Sequence, residues 1–268
     1  MGGTWEERFF LSKDLGQILN DWEFDANGIA ARWIQGDDGH PKVQLRVNLG
    51  VLQMEAKGRP DGHQPEGCSS LLEYYLHLEE QQDEAQPLEL GPEACAELQQ
   101  EALQFYYRYL AFYALGYLDG VIEDTSHNLD LLDLVSQYAT DDDLAWQFLQ
   151  FFPYVRMMNA RARAEKLIKH EDVEMALRTI EDAIADIDAF GLEYSDDSSV
   201  DASQERAILD DLRRRIASRK PKSEEERLRD ELRDAIRSED YEHAAEVRDA
   251  LQKLGLPRMS LNGMEPMP

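Results

Sequence analysis

Between Ser223 and Leu254 the chain reads SEEERLRDELRDAIRSEDYEHAAEVRDALQKL, and this stretch spells out two helices that must face one another. Ser223 precedes three glutamates, placing carboxylates in a first helical turn where the dipole favours them. The spacing from Ser223 to Glu226 is that of a capping box. Leu228, Leu232, Ala235 and Ile236 then recur at helical spacing. Ser238-Glu239-Asp240 interrupts that stripe, and Tyr241, Ala244, Ala245, Val247 and Leu251 begin a second one. Gly255 and Pro257 follow as stop signals. Two short amphipathic helices with alanines at their contact form an αα-hairpin. So small a unit buries little surface, so it calls for a second copy, another protein or the rest of its own chain.

The residues that give the hairpin its pattern also resemble a known family. Leu228, Leu232, Ala235, Ile236, the run Glu239-Asp240-Tyr241-Glu242, Ala244-Ala245 and Arg248-Asp249, up to Leu254, are similar to the UVR motif of the excision-repair proteins UvrB and UvrC. The same motif occurs in bacterial Clp-type ATPases and arginine-kinase activators. In that family the hairpin mediates pairing between proteins. The resemblance therefore implies a partner-binding surface at Tyr241, Ala244, Ala245, Arg248 and Asp249, and a partner that is another UVR-motif protein or a Clp-type ATPase. The alternative is an intramolecular hairpin with no partner. The chain departs from its relatives elsewhere. It has no phosphate loop, no paired Cys-x-x-Cys, and at 268 residues no room for two nuclease domains.

Upstream, only residues 1–62 carry strand signals. Ile29 to Gln35 runs into Gly36-Asp37-Asp38-Gly39, a hairpin-turn composition. Val43, Leu45, Val47, Leu49 and Val51 then alternate with polar residues, as in a half-buried strand. At Leu52 and Met54 the apolar phase flips, which places a bulge or turn near Gly50. A short helix over Ser12 to Trp22 precedes this small antiparallel sheet. The strand's polar face, Lys42, Gln44, Arg46, Asn48 and Gln53 with Lys57 and Arg59 nearby, is the least acidic surface of the chain, and reads as an ordinary solvent face before it reads as an anion site.

Residues 63–193 read as helical. Ser69 to Gln82 is amphipathic; Pro92 opens a helix to about Leu118 whose aromatic residues, Phe105 through Tyr117, occupy every face and mark it as central. Asp124-Thr125-Ser126 resembles a helix N-cap, and Thr140-Asp141-Asp142-Asp143 is an N-cap for the following helix. Two further helices flank His170-Glu171, over 155–169 and 172–190. Here Glu171-Asp172-Val173-Glu174-Met175-Ala176 echoes Glu239-Asp240-Tyr241-Glu242-His243-Ala244, 68 residues later, and Ala164, Leu167, Ala176, Ile180 and Ala183 are similar to one degenerate tetratricopeptide hairpin over 160–190. Residues 194–222 form a linker, a helix and a basic tether; residues 223–256 form the hairpin, and 257–268 a disordered tail. The expected fold class is mainly α with a small N-terminal antiparallel sheet, built from helical hairpins.

Charge narrows the function. The formal net charge is −27, which repels phosphate backbones and anionic membranes. Residues 61–155 hold 19 acidic residues and one basic residue, Arg108. Arg213, Arg214, Arg215, Arg219, Lys220 and Lys222 form the one basic patch; it suits nucleic acid or, in better agreement with the overall charge, the acidic 61–155 segment. Cys68 and Cys95 match no zinc or redox spacing, no signal peptide or membrane span is visible, and a reduced cytoplasmic setting is expected. No nucleophile elbow, phosphate loop, dinucleotide fingerprint or zinc-protease motif is present. Glu123, His127 and Asp130 share one helix face, the spacing a metal would need, without the further ligands of a di-metal helix bundle. The favoured reading is a non-enzymatic adaptor with no cofactor and no bound metal, tied by its UVR resemblance to DNA repair or Clp-type protein quality control in bacteria. The alternative is a metal-dependent hydrolase or nuclease accessory to excision repair.

Overall fold

The computed structural model describes residues 15–81, 87–194, 202–218 and 224–253, with only the backbone of 224–226 and 253. It is mainly helical, with a small antiparallel sheet near the N-terminus. The described residues up to Ile216 form one compact unit and those from Ala217 a second.

The first unit begins with α1 (Gly16–Leu19), within the expected Ser12 to Trp22 helix, whose residues 12–14 lie outside the described set. Strands β1 (Ala31–Gln35), β2 (Pro41–Val47) and β3 (Gly50–Glu55) pair antiparallel in that order. Gly39, at φ 82°, takes the left-handed position of the first turn, a conformation that costs glycine little. The alternation from Val43 to Val51 does not belong to one strand. Val47 pairs with Gly50, so Asn48-Leu49 is a two-residue turn and Leu49 is 90% exposed. The flip of apolar phase at Leu52 is the chain reversing, not a bulge.

The sheet has no core of its own. Val43, Leu45 and Met54 pack into the same cluster as Tyr109, Phe112, Val121 and Met157 of the helices. Its opposite face is tied internally rather than left open to an anion. Gln44 accepts from Arg32 at 2.8 Å and donates to Gln53 at 2.9 Å; Lys42 pairs with Asp38 and Glu55. Arg46 donates to the Trp22 carbonyl at 2.9 Å and to carbonyls of its own hairpin, while the Arg32 guanidinium lies 4.2 Å over the Trp22 ring.

After a 3-10 turn at Pro65–Gly67 come α2 (Leu71–Gln81), α3 (Pro92–Ala114), α4 (Leu118–Tyr138) and α5 (Asp142–Leu149). The single helix expected from Pro92 to Leu118 stops at Ala114, because Gly116 adopts φ 70° and turns the chain. Consequently Asp124-Thr125-Ser126 is not a cap. It lies in the middle of α4, where the Thr125 hydroxyl donates to the Val121 carbonyl at 2.6 Å and Asp124 is buried. Asp141 does cap α5, accepting from the Leu144 amide at 2.9 Å. The aromatic helix α3 is central as expected, with Phe105, Tyr109 and Phe112 buried. A second apolar cluster, including Leu72, Leu98, Leu131, Val135 and Phe148, joins α2, α3, α4 and α5. Each such side chain, once buried, contributes about 1.5–3 kcal/mol.

Helices α6 (Phe152–Lys169) and α7 (Val173–Glu193) form the first helical hairpin, with α6 also packed on α4. Helix α8 (Ser203–Ala217) buries Leu209 and Ile216 into the main core. The second compact unit contains α9 (Glu224–Arg237) and α10 (Tyr241–Lys253), packed on each other. No described helix is long and apolar enough to cross a membrane.

Candidate functional site

The second hairpin turns through a Schellman motif. The Asp240 amide donates to the Ala235 carbonyl at 2.9 Å, and the Glu239 amide to the Ile236 carbonyl at 3.2 Å. Glu239 takes the left-handed position at φ 60°, where glycine is the usual occupant. The Asp240 side chain then accepts from the His243 amide at 3.1 Å and so caps α10. One aspartate thus ends one helix and starts the next. The first hairpin is built alike: Glu171 stands at φ 62°, the Asp172 amide donates to the Leu167 carbonyl at 3.0 Å, and the Asp172 carboxylate accepts from the Met175 amide at 3.0 Å. The shared Glu-Asp pair is therefore a shared turn.

In the second hairpin Ala235, Ala244 and Val247 are buried, and Leu228, Leu232, Ala245 and Leu251 are half-buried. His243 Nε2 lies 2.8 Å from Glu231 Oε1 and links the two helices. Of the expected contact residues, Tyr241 is 69% exposed, while Arg248 and Asp249 are exposed and paired with each other at 3.3 Å. Ala244 lies inside the hairpin and sets how closely α9 and α10 approach. Sequence patterning placed Ile236 in the apolar stripe, yet it is 50% exposed. The stripe that packs is Leu228, Leu232 and Ala235, at i, i+4 and i+7; Ile236, at i+8, lies at the edge of that stripe, and spacing alone does not separate it from the others. Ser223 of the capping box and Leu254 lie outside the described residues.

Three residues of the basic patch lie among the described residues. Arg213 pairs with Asp210 at 2.9 Å, and Arg214 and Arg215 pair with Asp211 at 3.6 and 3.1 Å. These arginines find carboxylates one turn back on α8, where i, i+3 and i, i+4 partners are within reach. Arg219, Lys220 and Lys222 lie outside the described residues.

A buried polar system joins β3 and the loop after it to α2, α3 and α4. Arg108, the lone cation of its segment, is buried and holds Asp124 through two hydrogen bonds at 2.9 and 2.6 Å. It also donates to the carbonyls of Glu55 and Gly58, at 3.0 and 2.6 Å. Glu101, fully buried, accepts from the Leu71 and Leu72 amides at 2.8 and 3.0 Å and so serves as the N-terminal anion of α2. Burial pushes its pKa up, but the His127 imidazole at 3.2 Å and the two amides outweigh that and hold it below the usual carboxylate range. His127 stacks on Phe105, ring centroids 3.6 Å apart. It is turned inward, away from the face it was expected to share with Glu123 and Asp130. Among the described residues no three His, Cys, Asp or Glu side chains are grouped to hold a metal. Cys68 and Cys95 are both free thiols.

A mainly helical body followed by a compact helical hairpin with an exposed apolar tip defines a protein carrying an interaction module. Residues 223–255 match the family model described as the UvrB/uvrC motif, UVR. No curated protein and no solved structure matches the chain. The matched residues fall on α9, α10 and the turn between them, so the chain contains a UVR motif in its C-terminal region.

Proposed function

We propose that this chain is an adaptor that recruits a helical partner through its C-terminal hairpin. The observation that carries the reading is a comparison of the two hairpins at equivalent positions. In the first, Ile168 and Val173 flank the turn and are packed against the chain's own helical core. In the second, their counterparts Ile236 and Tyr241 are 50% and 69% exposed. The same turn is thus covered by helices in one place and bare in the other, and helices from a partner would cover it. Tyr241 brings a large rigid contact area, as anchor residues of interfaces do. Arg248 and Asp249 supply a polar rim, and Ala244 and Ala245 hold the two helices close enough to present one face.

The UVR match supports a partner that is another UVR-bearing protein or a Clp-type ATPase, and with it our reading of a role in DNA excision repair or protein quality control in a bacterial cytoplasm. Direct nucleic-acid binding is disfavoured by the charge of −27 and by the local pairing of Arg213, Arg214 and Arg215.

The test is binding of the purified chain to a purified UVR-bearing protein, followed by calorimetry, with Tyr241→Ala and Ile236→Asp compared with the unaltered chain. Binding should weaken at least about tenfold in both, since removing an interface anchor costs about 2 kcal/mol or more. Unchanged affinity in both variants, with helicity retained, would overturn the reading.

A further inference from the structure

A cavity of about 430 Å³ opens between α4, α6 and α7, lined by Ser126, Leu129 and Asp130, by Arg156, Asn159 and Arg163, and by Thr179 and Asp182. It lies wholly within the first compact unit, and nothing about it depends on the role of the hairpin. It is a groove open to solvent rather than an enclosed cavity, with Asp130, Arg163 and Asp182 exposed along it.

The polar groups are fixed in place from behind. Asn159 is 3% exposed and donates to Thr125 Oγ1 at 2.9 Å and to Ser126 Oγ at 3.1 Å. Its own carbonyl oxygen accepts from Arg163 Nε at 2.8 Å, and Arg163 Nη2 reaches Ser126 Oγ at 3.3 Å. The Arg163 guanidinium is therefore aimed by a buried amide through neutral partners. No carboxylate lies within ion-pair distance of it among the described residues, in a chain of 55 acidic residues. Arg156, which lines the same cavity, differs in this respect, as it pairs with Asp186 at 2.7 Å. Asp130 and Asp182, across the same cavity, form no ion pair among the described residues either.

An uncompensated guanidinium and two uncompensated carboxylates in one cavity select against singly charged ligands. A simple anion meets Asp130 and Asp182; a simple cation meets Arg163. A molecule with both signs satisfies both sets. We propose that this cavity binds a small zwitterion of the α-amino-acid class, its carboxylate on Arg163 and Ser126 and its ammonium group on Asp130 and Asp182. The Ser126 hydroxyl already accepts from Asn159 and Arg163, so its hydrogen is left to donate to the ligand carboxylate. Leu129 offers the one apolar wall for the ligand's side chain.

The experiment is calorimetric titration of the full chain with each of the twenty L-amino acids in turn. The tightest binder is then compared with its decarboxylated amine and its deaminated acid. At least one amino acid should bind saturably, and both truncated analogues should bind about tenfold more weakly or worse, because each forfeits one charge-assisted set of contacts. Arg163→Gln and Asp182→Asn, at exposed positions, should each weaken binding about tenfold, while Arg206→Gln on α8 leaves it unchanged. The proposal is overturned if no amino acid binds saturably, if either truncated analogue binds as well as the zwitterion, or if both cavity variants bind like the unaltered chain.

Discussion

Glu171 and Glu239 adopt the same left-handed conformation, φ 62° and 60°, at the same position of two helical turns 68 residues apart. Each is followed by an aspartate whose amide closes the preceding helix and whose carboxylate caps the next. A side chain with a Cβ is strained there, at a cost of about 1 kcal/mol or more. Glu171→Gly should raise the stability of the first unit by about 1 kcal/mol, and Glu171→Ile should lower it; thermal unfolding distinguishes the two directions.

The Arg108–Asp124 pair predicts an asymmetry between breaking and replacing. Arg108→Met leaves Asp124 buried without its partner and also frees the Glu55 and Gly58 carbonyls. Denaturant unfolding should show a loss of about 3–5 kcal/mol. The double variant Arg108→Met with Asp124→Leu should recover a good part of it, since a matched apolar pair carries no buried charge.

Glu101 should make the first unit acid-sensitive. Its folded pKa lies below the unfolded carboxylate value, about 4.3, despite burial, because His127 and the α2 amides favour the ionised form. The stability it contributes is therefore complete above the unfolded pKa and is lost as pH falls through the folded one. Glu101→Gln should be less stable than the unaltered chain at neutral pH, and the gap between them should close as pH drops below about 4. Unfolding free energies measured from pH 7 to pH 3 test this.

Gly120 lies against the buried Phe112 ring and the half-exposed Tyr117 ring. A Cβ built there would stand 2.5 Å from Phe112 Cδ2 and 2.6 Å from two carbon atoms of the Tyr117 ring. Phe112 is 1% exposed and stacks on Trp33 at 5.5 Å. Gly120→Ala should destabilise the first unit by about 1–3 kcal/mol despite its better helix propensity. The near-ultraviolet circular dichroism of the Trp33, Phe112 and Tyr117 cluster should change with it.

Within the second hairpin, burial separates folding from binding. Ala244→Leu overfills the α9–α10 contact and should cost about 1–3 kcal/mol in the hairpin, with the first unit's transition unchanged. Tyr241→Ala, at a position 69% exposed, should alter hairpin stability by no more than about 0.5 kcal/mol. Helicity followed through the two transitions reads out both.

Local signals were legible where one residue type decides the backbone. Pro92 opens α3, Asp141 caps α5 and Gly39 closes the first turn, each as its chemistry requires. The hairpin was legible because its packing stripe repeats at helical spacing. What escaped was set by tertiary partners. The alternating pattern continues across Asn48-Leu49, so the strand signal runs through the reversal even though the flip of apolar phase points to a bulge or turn near Gly50. Asp124-Thr125-Ser126 has the composition of a cap but is held inside α4 by Arg108 and Asn159, from other helices. Pairing of Arg213, Arg214 and Arg215 with Asp210 and Asp211 was within reach of a spacing argument. The cavity around Arg163 was not, because Ser126, Asn159 and Asp182 are brought together only when three helices fold.

The burial of Arg108 also changes how copies of this protein meet. No other lysine or arginine exists between residues 61 and 155; of its 19 acidic residues Glu101 and Asp124 are buried, and Asp61 and Asp119 meet Arg59 and Lys166, which lie outside the stretch. Two such surfaces repel from a separation of about 10 Å at 0.1 M salt, before any contact forms. An encounter with a basic polypeptide is hastened by the same field and slowed as salt is added.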